Sequence, residues 1–142
     1  MTPESKFEPF PVNVRIKISA LWTSMLFVFA YVDLFSLYRS DVRSKLEAGQ
    51  ISGFDVSQTF LLATTVYIAI PSLMVFLVLV LRPGVNRITN LVVASVYALT
   101  IVGGAIGEWG YYVFGSALEV GLLAAVVFYA WTWPRQVVTD PS

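Results

Sequence analysis

Four long apolar segments constrain this chain more than any other feature. They cover approximately residues 17–38, 58–81, 85–107 and 112–133. A helix that crosses a membrane needs about 20 largely apolar residues at a rise of about 1.5 Å each. The chain is 57% hydrophobic with a mean hydropathy of +0.74, which lies outside the usual range of a soluble domain. The sequence therefore predicts an all-α polytopic membrane protein, an antiparallel bundle of four transmembrane helices.

The spans and their flanks predict a single domain with two tails. Residues 1–15 form a polar, proline-containing tail, residues 16–134 form the four-helix transmembrane domain, and residues 135–142 form a polar C-terminal tail. The first span is too long for the core of a signal peptide, and no small-residue cleavage pattern follows it. We therefore expect this span to be retained.

The connections between the spans carry their own local signals. Ser40 is expected to cap a short interfacial helix in the first connection, and Gly49 is expected to end it. Residues 82–84, with the sequence Arg-Pro-Gly, predict a tight hairpin between the second and third spans. Pro71 falls inside the second span, where it removes one backbone hydrogen bond and predicts a bend.

Missing residue types exclude several classes of function. The chain has no histidine and no cysteine, so disulfides, iron–sulfur clusters and the usual haem and zinc ligands are excluded. We expect no metal and no cofactor. The formal net charge is zero, which argues against nucleic acid as a partner. An enzyme is the least favoured class, because only carboxylate and tyrosine chemistry is left for catalysis.

The distribution of basic residues predicts the orientation of the spans, because excess positive charge stays on the cytoplasmic side. One side of the predicted membrane carries Lys6, Arg15, Lys17, Arg82, Arg87 and Arg135, and the other carries Arg39, Arg43 and Lys45. Six residues against three place both termini in the cytoplasm. Trp and Tyr residues near both ends of the last span fit aromatic belts at the two interfaces.

Two acids inside apolar spans are the strongest candidates for a functional site. Asp33 and Glu119 are both predicted to lie roughly 8–10 Å below the outer surface, at the same depth. Small or polar residues share their helix faces: Ser19, Trp22, Ala30 and Ser36 with Asp33, and Tyr112, Gly115 and Ser116 with Glu119. Such faces normally point into a bundle. We expect both acids to face a common interior that opens outward.

Three interpretations of this acid pair remain open. In the first, each carboxyl is protonated or hydrogen-bonded to a neighbouring helix and only fixes the packing. In the second, the pair forms the polar end of a ligand pocket or a proton-binding site. In the third, the two acids do not meet and one of them faces water near the interface.

Several other residues are weaker candidates. Tyr67 and Tyr97 fall near the middle of their spans and either line the pocket or pack with their hydroxyls bonded to the backbone. Asn86 and Asn90 are expected to cap or join helices, and Arg87 is expected to reach lipid phosphate. A run of small residues at Gly103, Gly104 and Gly107 permits close helix contact and is compatible with a homodimer.

The order of several motifs resembles that of a family of small bacterial four-span membrane proteins. The motifs are Lys17-Ile18-Ser19-Ala20-Leu21-Trp22, Tyr31-Val32-Asp33, Asn86-Arg87 with Asn90, Glu119, and Tyr129-Ala130-Trp131-Thr132-Trp133-Pro134. Together they resemble the uncharacterised family DUF6326, which is loosely similar to DoxX-like proteins. The resemblance implies a four-helix bundle in the bacterial cytoplasmic (inner) membrane and no particular activity.

Binding or proton-coupled transport of a small lipophilic or cationic molecule is the function that the sequence favours. Its candidate site residues are Asp33, Glu119, Tyr112, Ser116, Tyr67, Tyr97 and Trp22. Membrane lipid is an expected partner in either case. The alternative is a non-catalytic accessory or scaffold subunit of a membrane complex, in which the acids are packing details.

Overall fold

The structure is a computed structural model that describes residues 11–135. Its elements in chain order are α1 (Val14–Ser36), α2 (Ser40–Glu47), β1 (Gln50–Ile51), β2 (Phe54–Asp55), α3 (Gln58–Val80), α4 (Pro83–Ala105) and α5 (Gly110–Trp131). Four of these helices are long and apolar enough to cross a membrane. The predicted four-helix membrane fold and its short interfacial helix, α2, are confirmed. Most of the predicted N-terminal tail, and the C-terminal tail beyond Arg135, lie outside the described residues.

The starts of α1 and α3 follow from side-chain capping. The Asn13 side chain accepts a hydrogen bond from the backbone N–H of Arg15, and the Ser57 side chain accepts one from Phe60. Pro83 opens α4, where the missing N–H has no cost. Ser40 does not cap α2 as predicted, because it is already the first helical residue and no side chain caps this helix.

A short hairpin follows α2 in the first connection. Strands β1 and β2 pair antiparallel, with Gln50 opposite Asp55. The turn between them is built from Ser52 and Gly53, which both have positive φ angles. Two successive residues with positive φ match the twist of a two-residue hairpin.

The four long helices pack in the spatial order α3, α1, α5, α4. Contacts are extensive between α4 and α5, between α1 and α5, and between α1 and α3, whereas α3 and α4 approach each other closely at only a few positions. The chain enters and leaves the bundle at one end, which also holds the α3–α4 hairpin and is called the terminal end below. The opposite end, with the connections 37–57 and 106–109, is called the loop end.

A ladder of hydrogen bonds crosses the bundle in the half nearest the terminal end. The indole N–H of Trp22 donates to Oδ1 of Asn90 at 2.8 Å, and Nδ2 of Asn90 donates to Oδ1 of Asn86 at 2.7 Å. Nδ2 of Asn86 then donates to the carbonyl of Val78 at 2.6 Å. All three side chains are fully buried. The ladder therefore joins α1, α4 and α3, which is the helix-joining role predicted for the asparagines.

Candidate functional site

Two contacts fix how far α1 and α5 are shifted relative to each other. A methyl group added at Gly115 would overlap the side chain of Val32, so these residues lie side by side. Arg39 pairs with Glu108 in the connections beyond these two helices, closer to the loop end. Glu119 lies one turn beyond Gly115, level with Val28 of α1 and about 7 Å deeper than Asp33. This offset is one of backbone positions, and the equal depth of the two carboxyls stays a prediction.

The two acids also differ in their surroundings. The Glu119 side chain lies inside the bundle and is only 3% exposed, on the same face of α5 as buried Gly115 and Ser116. Asp33 is exposed on the surface of α1. Val32, next to Asp33, contacts Gly115, one turn from Glu119, so the two acids lie on adjoining parts of α1 and α5. The expectation of one shared interior is corrected to a buried acid beside an acid that faces outward.

Asp33 lies at the loop end of a groove between α1 and α3. The groove has a volume of about 630 Å³, and Asp33 is its only charged residue. Its lining consists of Thr23, Leu26, Phe27, Phe29, Ala30, Asp33, Ile68, Ser72 and Val75. A second cavity of about 480 Å³ begins at Thr23 and Phe27 and extends along α1 toward the terminal end, past Ser19 and Ala20. An elongated, mostly apolar depression therefore leads to one carboxyl.

No basic side chain in the described part of the chain neutralises either acid. The ion pairs among residues 11–135 both involve Arg39, whose partners are Asp41 and Glu108. An acidic side chain at membrane depth normally has a partner or faces a wet cavity, because its ionised form is costly in hydrocarbon. Asp33 and Glu119 thus lack the counter-charge that ionised carboxyls at such positions need.

Tyr112 and Ser116 lie between Glu119 and the loop end. Ser116 is 4% exposed, and Tyr112 is half-buried one turn further along the same face of α5. Tyr112 and Ser116 lie next to Gly115 along α5, and Gly115 contacts Val32, the neighbour of Asp33. Four of the predicted site residues therefore lie together: Asp33, Glu119, Tyr112 and Ser116.

Arg39 and its partners Asp41, Glu108 and Trp109, together called the arginine clasp below, lie at the loop end beside this group. Arg39 binds Asp41 through two hydrogen bonds of 3.1 and 2.7 Å, binds Oε2 of Glu108 at 2.6 Å, and stacks on Trp109 at 4.3 Å. The hydrogen bonds from the Arg39 guanidinium hold the pKa of Asp41 below its usual range, and those to both acids raise the pKa of Arg39. The clasp ties the start of α2 to the connection between α4 and α5.

The other three predicted site residues form a separate aromatic cluster. The rings of Tyr67 and Tyr97 stack at 4.7 Å, Trp22 meets Tyr97 edge-on at 6.4 Å, and Phe29 lies 6.4 Å from Tyr67. Trp22 lies roughly 16 Å along α1 from Asp33. Trp22, Tyr67 and Tyr97 are therefore not brought together with the acid pair, although Phe29 links their cluster to the groove.

Pro71 explains how this cluster is held. It lacks the N–H that would bond the carbonyl of Tyr67 one turn earlier. The hydroxyl of Tyr97 donates to that carbonyl instead, at 2.5 Å. The Tyr67 hydroxyl lies 2.6 Å from Oγ1 of Thr100. The proline thus leaves an acceptor on α3 that binds α4 through Tyr97.

Comparison with known proteins gives one match. The model of DUF6326, a family of unknown function, matches residues 7–140. The chain belongs to the DUF6326 family. No match is found among curated proteins or among solved structures.

The family assignment adds no chemistry, so the site of this DUF6326 protein must be interpreted from its geometry. Residues 11–135 contain no group of three or more acidic, histidine or cysteine side chains that could hold a metal ion. What the site offers is two carboxyls, a phenol and a hydroxyl beside an apolar groove.

From the sequence, Arg39 was interpreted only as a positive charge. Neither the clasp nor the groove of this DUF6326 chain could be predicted. The clasp partner Glu108 is far from Arg39 in the chain, and no short-range pattern encodes such a pair. A partial signal for the groove was available, since α1 repeats small residues at Ser19, Thr23 and Ala30. These residues leave space beside the larger side chains of α3.

Proposed function

We propose that this DUF6326 protein binds small lipophilic cations from within the membrane, in the groove between α1 and α3, with Asp33 as the counter-charge. One observation carries the proposal: Asp33 is the only charged residue of an apolar groove of about 630 Å³, and no basic side chain of the described chain pairs with it.

The lining of the groove supports a ligand that is both cationic and lipophilic. Its volume is in the range of small-molecule sites, about 300–1,000 Å³. The faces of Phe27 and Phe29 offer apolar contact and attraction for a cation, and the hydroxyls of Thr23 and Ser72 add polarity. A cation beside Asp33 would offset the cost of an ionised carboxyl in an apolar environment.

Proton coupling is the role we propose for Glu119. Its carboxyl is buried without a basic partner, so a proton is the simplest way to remove its charge. A cation bound at Asp33 would change the electrostatic potential at Glu119, because Val32 beside Asp33 contacts Gly115, one turn from Glu119, and charges interact over several ångströms in an apolar environment. A nearby cation favours the ionised carboxyl, so binding of the cation would release a proton from Glu119 and release of the cation would be followed by proton uptake, which would couple transport to a proton gradient.

The cation-binding proposal predicts a loss of affinity in Asp33→Asn. Wild-type protein in detergent is titrated with tetraphenylphosphonium and, separately, with tetraphenylborate, which has nearly the same shape and the opposite charge. Wild type is expected to bind the cation and not the anion. Asp33→Asn should weaken cation binding about tenfold or more, because the only charge of the groove is lost.

Two further variants separate this effect from general changes in charge or fold. Asp55→Asn removes one acid near the same end of the bundle, outside the groove, and should bind the cation like wild type. Ser72→Leu keeps Asp33 and fills the groove, and should also lose binding. Equal affinity of wild type and folded Asp33→Asn would refute the proposal and favour an accessory or scaffold subunit.

We also propose that the protein lies in the bacterial cytoplasmic membrane with the terminal end on the cytoplasmic side. Arg15, Lys17, Arg82 and Arg87 lie at this end, and Arg39, Arg43 and Lys45 lie at the loop end. Of the three basic residues at the loop end, Arg39 is paired with acids. The excess of positive charge therefore favours the terminal end as the cytoplasmic one.

Single cysteines test this orientation, because the natural chain contains none. Gln50→Cys lies in the hairpin at the loop end, and Gly84→Cys lies at an open position of the terminal end. A membrane-impermeant maleimide should label Gln50→Cys in intact cells and should label Gly84→Cys only after the cells are broken. The opposite pattern would invert the proposed topology.

A further inference from the structure

Two basic side chains of α1 lie over two aromatic rings at the terminal end of α5. The guanidinium carbon of Arg15 is 5.9 Å from the centre of the Trp133 ring, and Nζ of Lys17 is 5.3 Å from the centre of the Tyr129 ring. Tyr129 and Trp133 are four residues apart. These four side chains, which lie between α1 and the end of α5, are together called the terminal cleft below.

The Arg15 side chain is held in place by the backbone of a third helix. Its Nη1 donates to the carbonyl of Leu79 at 2.9 Å and approaches that of Val78 at 3.5 Å. Both carbonyls belong to the last turn of α3, the end of a helix that attracts positive charge. Arg15 and Lys17 are half-buried, so neither is a freely solvated surface charge. These contacts position the cations, and they leave donors of both side chains available.

The charges around the terminal cleft are not balanced within the described chain. Every acid in residues 11–135 lies in a connection at the loop end or in the half of a long helix nearest that end. The same residues place five basic side chains at the terminal end: Arg15, Lys17, Arg82, Arg87 and Arg135. The terminal cleft thus has two positioned cations and no described carboxylate.

The position of the terminal cleft at a helix end indicates which kind of ligand it can bind. Arg and Lys beside Trp and Tyr at the end of a spanning helix lie where lipid head groups lie. Phosphate oxygens accept charge-assisted hydrogen bonds from both Arg and Lys. We infer that the terminal cleft binds the phosphate group of an anionic phospholipid through Arg15 and Lys17, with Tyr129 and Trp133 as the flanking aromatic residues.

A second arginine at this end supports the inference with similar geometry. Arg87 of α4 stacks on Trp131 at 5.5 Å, and its Nε donates to the carbonyl of Ala130 at 3.2 Å. It too is held by an aromatic ring and by the carbonyl end of a helix. Positioned cations without described carboxylate partners thus recur at the terminal end on two sides of α5.

The test measures stabilisation by defined lipids. The thermal unfolding midpoint of detergent-solubilised protein is recorded with added phosphatidylglycerol, phosphatidylcholine or inorganic phosphate at matched ionic strength. Wild type is expected to be stabilised by phosphatidylglycerol alone. Lys17→Gln should lose at least half of that shift, Lys17→Arg should keep it, and the control Arg43→Gln, which removes an exposed charge at the loop end, should keep it fully.

Several results would overturn the inference. One is an equal shift with phosphatidylcholine, and another is a full phosphatidylglycerol shift in Lys17→Gln. Stabilisation by inorganic phosphate would indicate a site for free phosphate instead of a lipid. If Lys17→Gln does not fold, native mass spectrometry of wild type in an equimolar mixture of the two lipids decides, because retention without preference for phosphatidylglycerol contradicts the site. None of these results depends on Asp33, at the other end of the bundle.

Discussion

Gly115→Ala is expected to lower the free energy of unfolding by about 1–3 kcal/mol, which is the usual cost of adding a methyl group to a tightly packed site. The new methyl group would overlap the side chain of Val32, whose branched form gives it little freedom to rotate away. The helices α1 and α5 would have to separate at the level of Asp33. The measurement is the midpoint of SDS unfolding in mixed micelles.

Two companion variants isolate this contact. Gly121→Ala makes the same change on the same helix, where a methyl group meets no atom within 4 Å, and it should be neutral or slightly stabilising. Val32→Ala combined with Gly115→Ala should recover most of the lost stability, because it removes the obstructing methyl groups. Equal effects of Gly115→Ala and Gly121→Ala would show that close contact at Gly115 does not hold the helices together.

Asn90→Leu is expected to destabilise the bundle by about 2–3 kcal/mol. The change leaves the indole N–H of Trp22 without an acceptor and Oδ1 of Asn86 without a donor, and both side chains are fully buried. Each buried group left without a partner costs about 1–3 kcal/mol, and hydrogen bonds inside membrane proteins contribute toward the lower end of such ranges. SDS unfolding again provides the measurement.

Three further variants are compared with Asn90→Leu by their effect on the free energy of unfolding. Trp22→Phe removes one donor of the ladder and should cost less, and the double variant should cost less than the sum of the two single changes. Thr64→Ala removes a hydroxyl on an exposed surface of α3 that bonds only its own helix, and it should change stability by less than about 0.5 kcal/mol. Additive effects of Trp22→Phe and Asn90→Leu would contradict an energetic link between these residues.

The four spans could be predicted from the sequence, because hydrophobic length is a local property. The shift of α1 relative to α5 could not. The predicted depth of each acid was counted from the end of its own apolar segment. The ends of the segments do not give the shift of one helix along another. That shift depends on the close approach of Val32 and Gly115, a contact between residues far apart in the chain.

The division of the candidate residues into two groups also depends on tertiary packing. Trp22 shares a helix face with Asp33, which is why the two residues were predicted to belong to one site. In the structure the indole N–H of Trp22 donates a hydrogen bond to the buried side chain of Asn90 on α4, so Trp22 is part of the ladder instead. The face of a helix predicts which way a side chain points, but its depth and its partner decide what it contacts.

The pairing of α1 with α5 has a consequence for how the protein is made. These are the first and the last of the four long helices in the described chain, and their contact is among the most extensive in the bundle. During synthesis α1 enters the membrane well before α5 exists, so the surface of α1 that receives Gly115 stays uncovered until α5 has been inserted. The contact between α1 and α5 can therefore form only after α5 has been made, and a chain stalled before α5 would lack it.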